Sequence, residues 1–202
     1  MSKLLGNLPQ GLIFVISAPA GTGKTTLVNQ LTQEFPSVVR NVSCTTRAPR
    51  SGEKEGKDYF FFDKKSFEVK IRKGEFIEHA KVFGEYYGTS GEFIQKMQAE
   101  GKHVVLIIDT QGALTLQKHF KGKNSPIFIF ISPPSLSELK ERLKKRQTEN
   151  PQSMEERLAW AKHELEMVPH YDYHIVNDDL TTAYAVLKSI FIAEEHKIRR
   201  IK

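Results

Sequence analysis

Cysteine is nearly absent. Cys44 is the only one in 202 residues, so no intramolecular disulfide can form and no C-x-x-C metal site exists. Long apolar runs are missing as well: no stretch approaches the roughly 18 residues of a membrane-spanning helix. The leader Met1–Gln10 has no apolar core of signal-peptide length, which reads as a soluble, cytoplasmic protein. No low-complexity tract or internal repeat occurs. The seven histidines form no metal pattern: His170 and His174 are four apart, but Pro169 and the strand-like Tyr173–Val176 argue against a shared helical face. Acidic residues are the scarcer sign, 24 against 30 basic ones, for a net charge of +6. That balance favours anionic partners, whether nucleic acid, an acidic membrane surface or nucleotides. The length suits one well-buried core with a modest inserted lobe.

What the chain does contain decides among these partners. The apolar run Gly11–Ser17 leads directly into Ala18-Pro19-Ala20-Gly21-Thr22-Gly23-Lys24-Thr25-Thr26, a phosphate-binding loop between a buried strand and a helix. Gly21 and Gly23 let the backbone curl so that several N–H groups converge on phosphate oxygens at a helix N-terminus. Lys24 adds a mobile cation, and the Thr25 hydroxyl suits Mg²⁺. Ala18 stands where the usual pattern has its first glycine, and is small enough not to crowd the turn. A glycine turn that merely reverses the chain would leave the strand before it and the Gly-Lys-Thr-Thr helix start unexplained.

Further apolar runs at His103–Ile108, Pro126–Ile131 and Tyr173–Val176 are each followed by turn residues and a helix-like segment, the pattern of a parallel sheet covered on both faces. Helices are predicted at Lys24–Phe35, Gly112–Phe120, Ser135–Gln147, Ser153–Met167 and Leu180–Glu195, with Gly112 and Ser135 suited to helix entry. Between Val42 and Gly101 the texture changes to short aromatic or alternating segments, Tyr59–Phe62, Phe76–Val82 and Glu85–Tyr87, with helices at Lys64–Arg72 and Ser90–Glu100. This reads as a mixed lobe inserted into an α/β core. A charged helical excursion around Leu139–Leu158, broken at Glu149-Asn150-Pro151, suggests two helices joined by a turn, a flap able to close over a ligand. Trp160, spaced helically with Leu158, Ala161 and Leu165, reads as core.

Within Ser43–Glu53, Arg47 and Arg50 are separated by Pro49, which forces Ala48 toward extended geometry. Both guanidinium groups can then converge on one anion, and a planar guanidinium binds a phosphate bidentately. A solvated basic loop is the alternative for this segment taken alone. Together with the loop at 18–26, the segments Ser43–Tyr59, Glu75–Ala80, Phe83–Ser90 and Asp109–Gly112 resemble a guanylate kinase over about Leu12–Glu195. Thr45-Thr46-Arg47-Ala48-Pro49-Arg50 and Tyr86-Tyr87-Gly88-Thr89 carry that resemblance more specifically than the phosphate loop does.

The resemblance implies an α/β fold with a P-loop parallel-sheet core (10–42, 101–137, 161–202), a mixed α+β GMP-binding lobe (43–100) and a helical lid (138–160). It implies ATP as phosphoryl donor with Mg²⁺, and GMP, with dGMP, as acceptor. It puts Ser43, Arg47, Arg50, Tyr59 and Tyr87 around the acceptor phosphate, and Glu78 and Thr89 on guanine. Chemistry agrees for Glu78: guanine presents adjacent N1–H and N2–H₂ donors, which an ionised carboxylate accepts as a pair, and a site built for such bonds rejects the wrong base by ~10⁴ or more. An ordinary surface carboxylate beside His79 is the alternative. Asp109, at a strand end, is placed to assist Mg²⁺ near the loop; Ile107 stands where the family commonly has an acid.

In the flap, Arg142 and Arg146 lie four apart on one helix face, and Arg157 could meet them after the turn. The resemblance implies that these three contact ATP, while the intervening lysines read as a solvated face. Arg146-Gln147-Thr148 replaces the usual Arg-Gly-Thr. Asn177 is a candidate for adenine contact, with helix capping by the 177–179 group as the alternative. Two other classes are weighed: a binding module of this fold without catalysis, and a kinase of this fold with another acceptor, which would lack Glu78 and Thr89. Binding of nucleic acid is disfavoured because basic residues cluster in two motif-bearing segments and form no stripe. Nothing in the residues separates a monomer from a homo-oligomer.

Overall fold

A computed structural model describes residues 3–120, 125–145 and 151–198. Its centre is a five-stranded, all-parallel sheet in the order β2 (Val38–Arg40), β7 (His103–Ile107), β1 (Ile13–Ser17), β8 (Ile127–Ser132), β9 (Tyr173–Val176). Every residue of β1 is buried, because a central parallel strand is covered on both faces. Its side chains alternate between two cores. Phe14 and Ile16 meet Leu27, Val28 and Leu31 of α1 (Lys24–Glu34) and Leu187, Ile190 and Phe191 of α7 (Leu180–His196). Ile13 and Val15 meet Ile94 and Met97 of α3 (Gly91–Ala99) and Ala113 and Leu116 of α4 (Thr110–His119).

The second sheet has the order β4 (Phe60–Phe61), β3 (Cys44–Thr45), β6 (Glu85–Ser90), β5 (Phe76–Val82). Here α2 (Lys64–Arg72) contributes the fully buried Phe67, stacked between Phe76 and Tyr86 at 4.6 and 5.4 Å. Asp63 caps α2 by accepting from Ser66 N at 2.9 Å. The remaining helices, α5 (Leu136–Lys145) and α6 (Pro151–Glu166), pack through Leu139, Leu143, Ala161 and Leu158. The predicted Glu149–Asn150 turn between them lies outside the described residues, as do Arg146 and Gln147.

The chain ends are tied in by a buried clasp. The Glu195 carboxylate accepts from Gly6 N at 2.7 Å, Asn7 N at 2.8 Å and the His103 Nε2–H at 2.6 Å. His103 Nδ1 in turn accepts from Leu12 N at 3.1 Å, which fixes the tautomer with the proton on Nε2. No helix among the described residues is long and apolar enough to cross a membrane.

Two strands went unpredicted and two sequence expectations are corrected. The edge strand β2 and the two-residue β3 were not anticipated: three and two residues are too short to show a period, and their pairing with β7 and β6 supplies what local sequence does not. Helix α4 begins at Thr110, not Gly112, because Asp109 is its N-cap and accepts from Gly112 N at 2.9 Å. Trp160 is not core; it is half-buried and faces a cleft, while Ala161 and Leu158 make the contact with α5. Phe191 is fully buried in the first core and stacked on Phe14 at 3.6 Å. Phe191→Ala should lower unfolding free energy by about 3–5 kcal/mol, read from the urea midpoint; a change under about 1 kcal/mol would place the stability elsewhere.

Candidate active site

The turn from β1 into α1 sits at the carboxyl edge of the sheet, where the chain runs from β1 to β2 on one side and from β8 to β9 on the other, so that a crevice opens. Gly21 and Gly23 hold φ of +91° and +94°, backbone that side-chain-bearing residues rarely adopt. A Cβ on Gly23 would come 2.6 Å from Asn177 Nδ2. That amide donates to Thr22 O at 2.6 Å, and the Thr22 hydroxyl donates to Pro19 O. The loop is therefore braced from inside. Because its N-cap is Gly23 and no acid lies in its first turn, α1 opens on amides uncapped by any side chain, at the positive end of the helix dipole. Lys24 Nζ reaches back to Ala18 O at 3.1 Å. Thr25 and Thr26 are both exposed, but only Thr25 faces the cleft.

The cleft has a volume of about 440 Å³, within the range of small-ligand sites. Ala18, Ala20, Gly21, Lys24 and Thr25 form one wall, and Ser43, Arg50, Tyr59, Glu78 and Tyr87 the other. Ile107, Ile108 and Asp109 lie between them, and Arg157, Trp160 and Glu164 close one side from α6. Across the opening Phe83, at the tip of the β5–β6 hairpin with φ of +49°, touches Trp160 at 5.7 Å. The small lobe thus meets α6 directly.

The two arginines of the small lobe are not equivalent. Arg50 lines the cleft. Arg47 lies behind it, with Nη2 donating to both Glu53 carboxylate oxygens at 2.8 and 2.9 Å, Nη1 donating to Ala48 O at 2.6 Å, and the guanidinium 5.4 Å over the Tyr59 ring. Glu53 also accepts from Arg50 N at 2.8 Å, so one carboxylate sets the shape of the whole arginine turn. Sequence reasoning missed Glu53 in this role, although an acid three residues after Arg50 in a glycine turn was a usable signal.

Glu78 is 5% exposed, and its Oε1 accepts from the Thr89 hydroxyl at 2.5 Å. Thr89 is fully buried and stands behind the carboxylate, not on the cleft wall. The other oxygen, Oε2, lies where a Cβ on Gly112 would come within 2.7 Å; glycine there is what lets β5 and α4 close together. Burial pushes the Glu78 carboxyl up to about 7, with the Thr89 bond working against the shift and the nearby Asp109 adding to it. Asp109 is also raised, by burial first, with the Gly112 amide opposing. One of its oxygens caps α4; the other, Oδ2, is buried with no hydrogen-bond partner.

Two other expected residues sit elsewhere. Asn177, 4% exposed, braces the loop as described and does not line the cleft. Capping of α7 falls to Asp179, which accepts from Thr182 N at 2.8 Å. Arg142 donates to Glu138 at 3.0 Å and to Asn177 O at 2.9 Å, so it ties α5 to the residue that braces the loop. Arg146 lies outside the described residues, leaving Arg157 as the lid arginine seen in the cleft. Glu164 was missed: Arg157, Trp160 and Glu164 share one helix face at i, i+3 and i+7. Its carboxyl is pushed up to about 7 by burial, which Lys24 opposes and Asp109 reinforces.

Comparison with known proteins agrees with this geometry. A family model described as "Guanylate kinase" matches residues 10–194. A guanylate kinase from Protochlamydia amoebophila (strain UWE25) is 55% identical over 195 residues, covering 96% of this chain and 97% of that one. One from Chlamydia muridarum (strain MoPn / Nigg) is 49% identical over 187 residues, covering 92% and 89%. The crystal structure of guanylate kinase from Anaplasma phagocytophilum superposes with a TM-score of 0.78 at 37% identity, covering 95% of this chain and 89% of that one.

The loop bracing can be tested directly. Gly23→Ala forces a left-handed alanine against Asn177 and should lower stability by about 1–3 kcal/mol while abolishing binding of nucleoside triphosphate. An unchanged urea midpoint with normal binding would mean the loop does not need this curl.

Proposed function

Because the chain belongs to the guanylate kinase family, whose reaction is ATP-dependent phosphorylation of GMP to GDP, we propose that its central cleft carries out direct in-line transfer between two facing phosphate sites. The observation that carries this reading is the pairing of walls: Lys24, Thr25 and the glycine loop on one side, Arg50, Tyr59 and Tyr87 on the other, in one cavity.

On this reading the loop amides and Lys24 hold the β- and γ-phosphates of ATP. Ser43, Arg50, Tyr59 and Tyr87 hold the acceptor phosphate, with Arg47 behind them, paired to Glu53. An oxygen of the acceptor phosphate, already ionised, attacks the γ-phosphorus while the bond to the β–γ bridging oxygen breaks. ADP leaves with that oxygen, and no general base or phosphoenzyme is needed. Catalysis then rests on alignment and neutralisation of charge, since ATP and GMP together bring about six negative charges. Arg157 contributes from α6. Arg142 would act on the donor phosphates only by exchanging its bond to Asn177 O, and Arg146 is assigned beside it from the family pattern.

No group of three or more His, Cys, Asp or Glu among the described residues could hold a metal on its own, which suits Mg²⁺, a cation bound through few protein ligands and mainly through substrate phosphates and water. The unpartnered Asp109 Oδ2 and the Thr25 hydroxyl are the groups that fit it. When bound, Mg²⁺ supplies neutralising charge on the donor phosphates. Ile107 contributes nothing to that shell, so Asp109 carries the acidic part alone.

Glu78, steadied by Thr89, reads guanine through N1–H and N2–H₂. dGMP, which keeps the same phosphate and the same guanine edge, is taken as an acceptor too. The contact between Phe83 and Trp160 joins the lobe to α6 and helps exclude water, whose entry would favour ATP hydrolysis.

Three measurements test the reading. Lys24→Met should keep GMP binding but lower turnover by at least about a hundredfold; normal GDP production would remove Lys24 from the transfer. Glu78→Gln should erode the preference for GMP over AMP in an ADP-release assay, and unchanged selectivity would detach it from the base. The third is a pH profile. Guanine is bound by the ionised carboxylate, so with its carboxyl at about 7 GMP affinity should rise on going from pH 6 to pH 8, by about tenfold, and level off above. Glu78→Gln should lose that rise and retain only what the GMP phosphate contributes; an identical profile in wild type and variant would refute the assignment.

A further inference from the structure

One buried group on the cleft wall has no task in the mechanism above. Asn41 follows β2, and its main-chain N–H donates to Val105 O at 2.9 Å, which fixes it at the carboxyl edge of the sheet. It is 5% exposed, yet it lines the cleft together with Ser43, Arg50 and Tyr59. Its side-chain nitrogen, Nδ2, is fully shielded and has no hydrogen-bond acceptor in the protein.

A carboxamide nitrogen carries two N–H donors and accepts nothing. Leaving such a group buried and unpaired destabilises a fold, and native structures keep few of them. Its partner is therefore an acceptor that arrives with a ligand. The acidic side chains nearby are already engaged: Glu53 by Arg47 and Arg50 N, Asp58 by Lys54 N at 2.9 Å. The adjacent Arg40 is drawn aside to Lys57 O at 2.5 Å. Asn41 lines the same cavity as Ser43, Arg50 and Tyr59, the groups assigned to the acceptor's phosphate. We propose that Asn41 is a further substrate-binding residue, whose Nδ2 donates a hydrogen bond to a phosphate oxygen of the acceptor nucleoside monophosphate. This rests on the acceptor-site reading given above, and extends it to the segment before Ser43.

A bond from a neutral donor to a charged oxygen is worth roughly 10- to 100-fold in affinity. Asn41→Ala and Asn41→Leu, titrated with GMP and with guanosine by following the emission of the single tryptophan, Trp160, in the same cleft, should weaken GMP by that factor. Guanosine affinity and the KM for ATP should change less than about twofold. Nucleotide-free Asn41→Leu should melt no lower than wild type, because the group removed is unpaired. The proposal is overturned if GMP affinity stays within about twofold, if guanosine weakens as much as GMP (a ribose contact), or if both variants fail to fold, which would make the amide structural. Arg50→Ala separates the two levels of inference. If it loses GMP while the Asn41 variants do not, only the Asn41 assignment falls; if it too keeps GMP, the acceptor site itself is misplaced.

Discussion

One hydrogen bond, from Asn177 Nδ2 to Thr22 O at 2.6 Å, holds the phosphate loop in the shape on which the rest depends. It works only because Gly23 has no Cβ to fill the space occupied by the amide. Asn177 follows β9, and β9 pairs in parallel with β8, which pairs with β1. The end of the last strand thus reaches back to the turn after the first. Arg142 on α5 donates to the carbonyl of the same asparagine, and Leu139 and Leu143 of α5 pack near Gly21. The phosphate loop and α5 are thus joined twice, through this asparagine and through the packing of Leu139 and Leu143.

The opposite wall is governed by a buried charge. Full burial of the Glu78 carboxylate outweighs the hydrogen bond from Thr89, and the resulting shift to about 7 means the group is only partly ionised in the empty site at neutral pH. On the proposed reading guanine supplies the donors that the protein withholds, which couples base recognition to ionisation. The arginine turn follows the opposite principle. Glu53 already pairs with Arg47 and Arg50 N, so the turn is preorganised for the role proposed for it. Glu164 and Asp109 place two more buried acids around Lys24, and the lysine stays in place through its backbone contact at Ala18.

Much of this was legible beforehand, for physical reasons. Buried parallel strands appear as unbroken apolar runs, so Ile13–Ser17 and Ile127–Ser132 stood out. Lys64–Arg72 declares itself by its Asp63 cap and the spacing around Phe67. Glycines with positive φ at 21 and 23 are visible because only a tight curl requires them there. Less legible were contacts between residues far apart in the chain. The pairing of β2 with β7 recruits three residues of no strong pattern. Trp160 fits a core face and a cleft face equally well until the packing of α5 against Ala161 decides which way α6 turns.

From the order of its residues alone, the chain determines a phosphate loop at the end of a buried strand and a pair of arginines set apart by Pro49. These are local matters of backbone freedom, charge and spacing. Which arginine fronts the cleft, which of Asn177 and Asp179 caps a helix, how acidic Glu78 is, and why Asn41 is left with unpaired donors were decided only by the tertiary structure. Each depends on what burial removes from water and on which distant group is brought within about 3 Å, and neither is written in any single stretch of sequence.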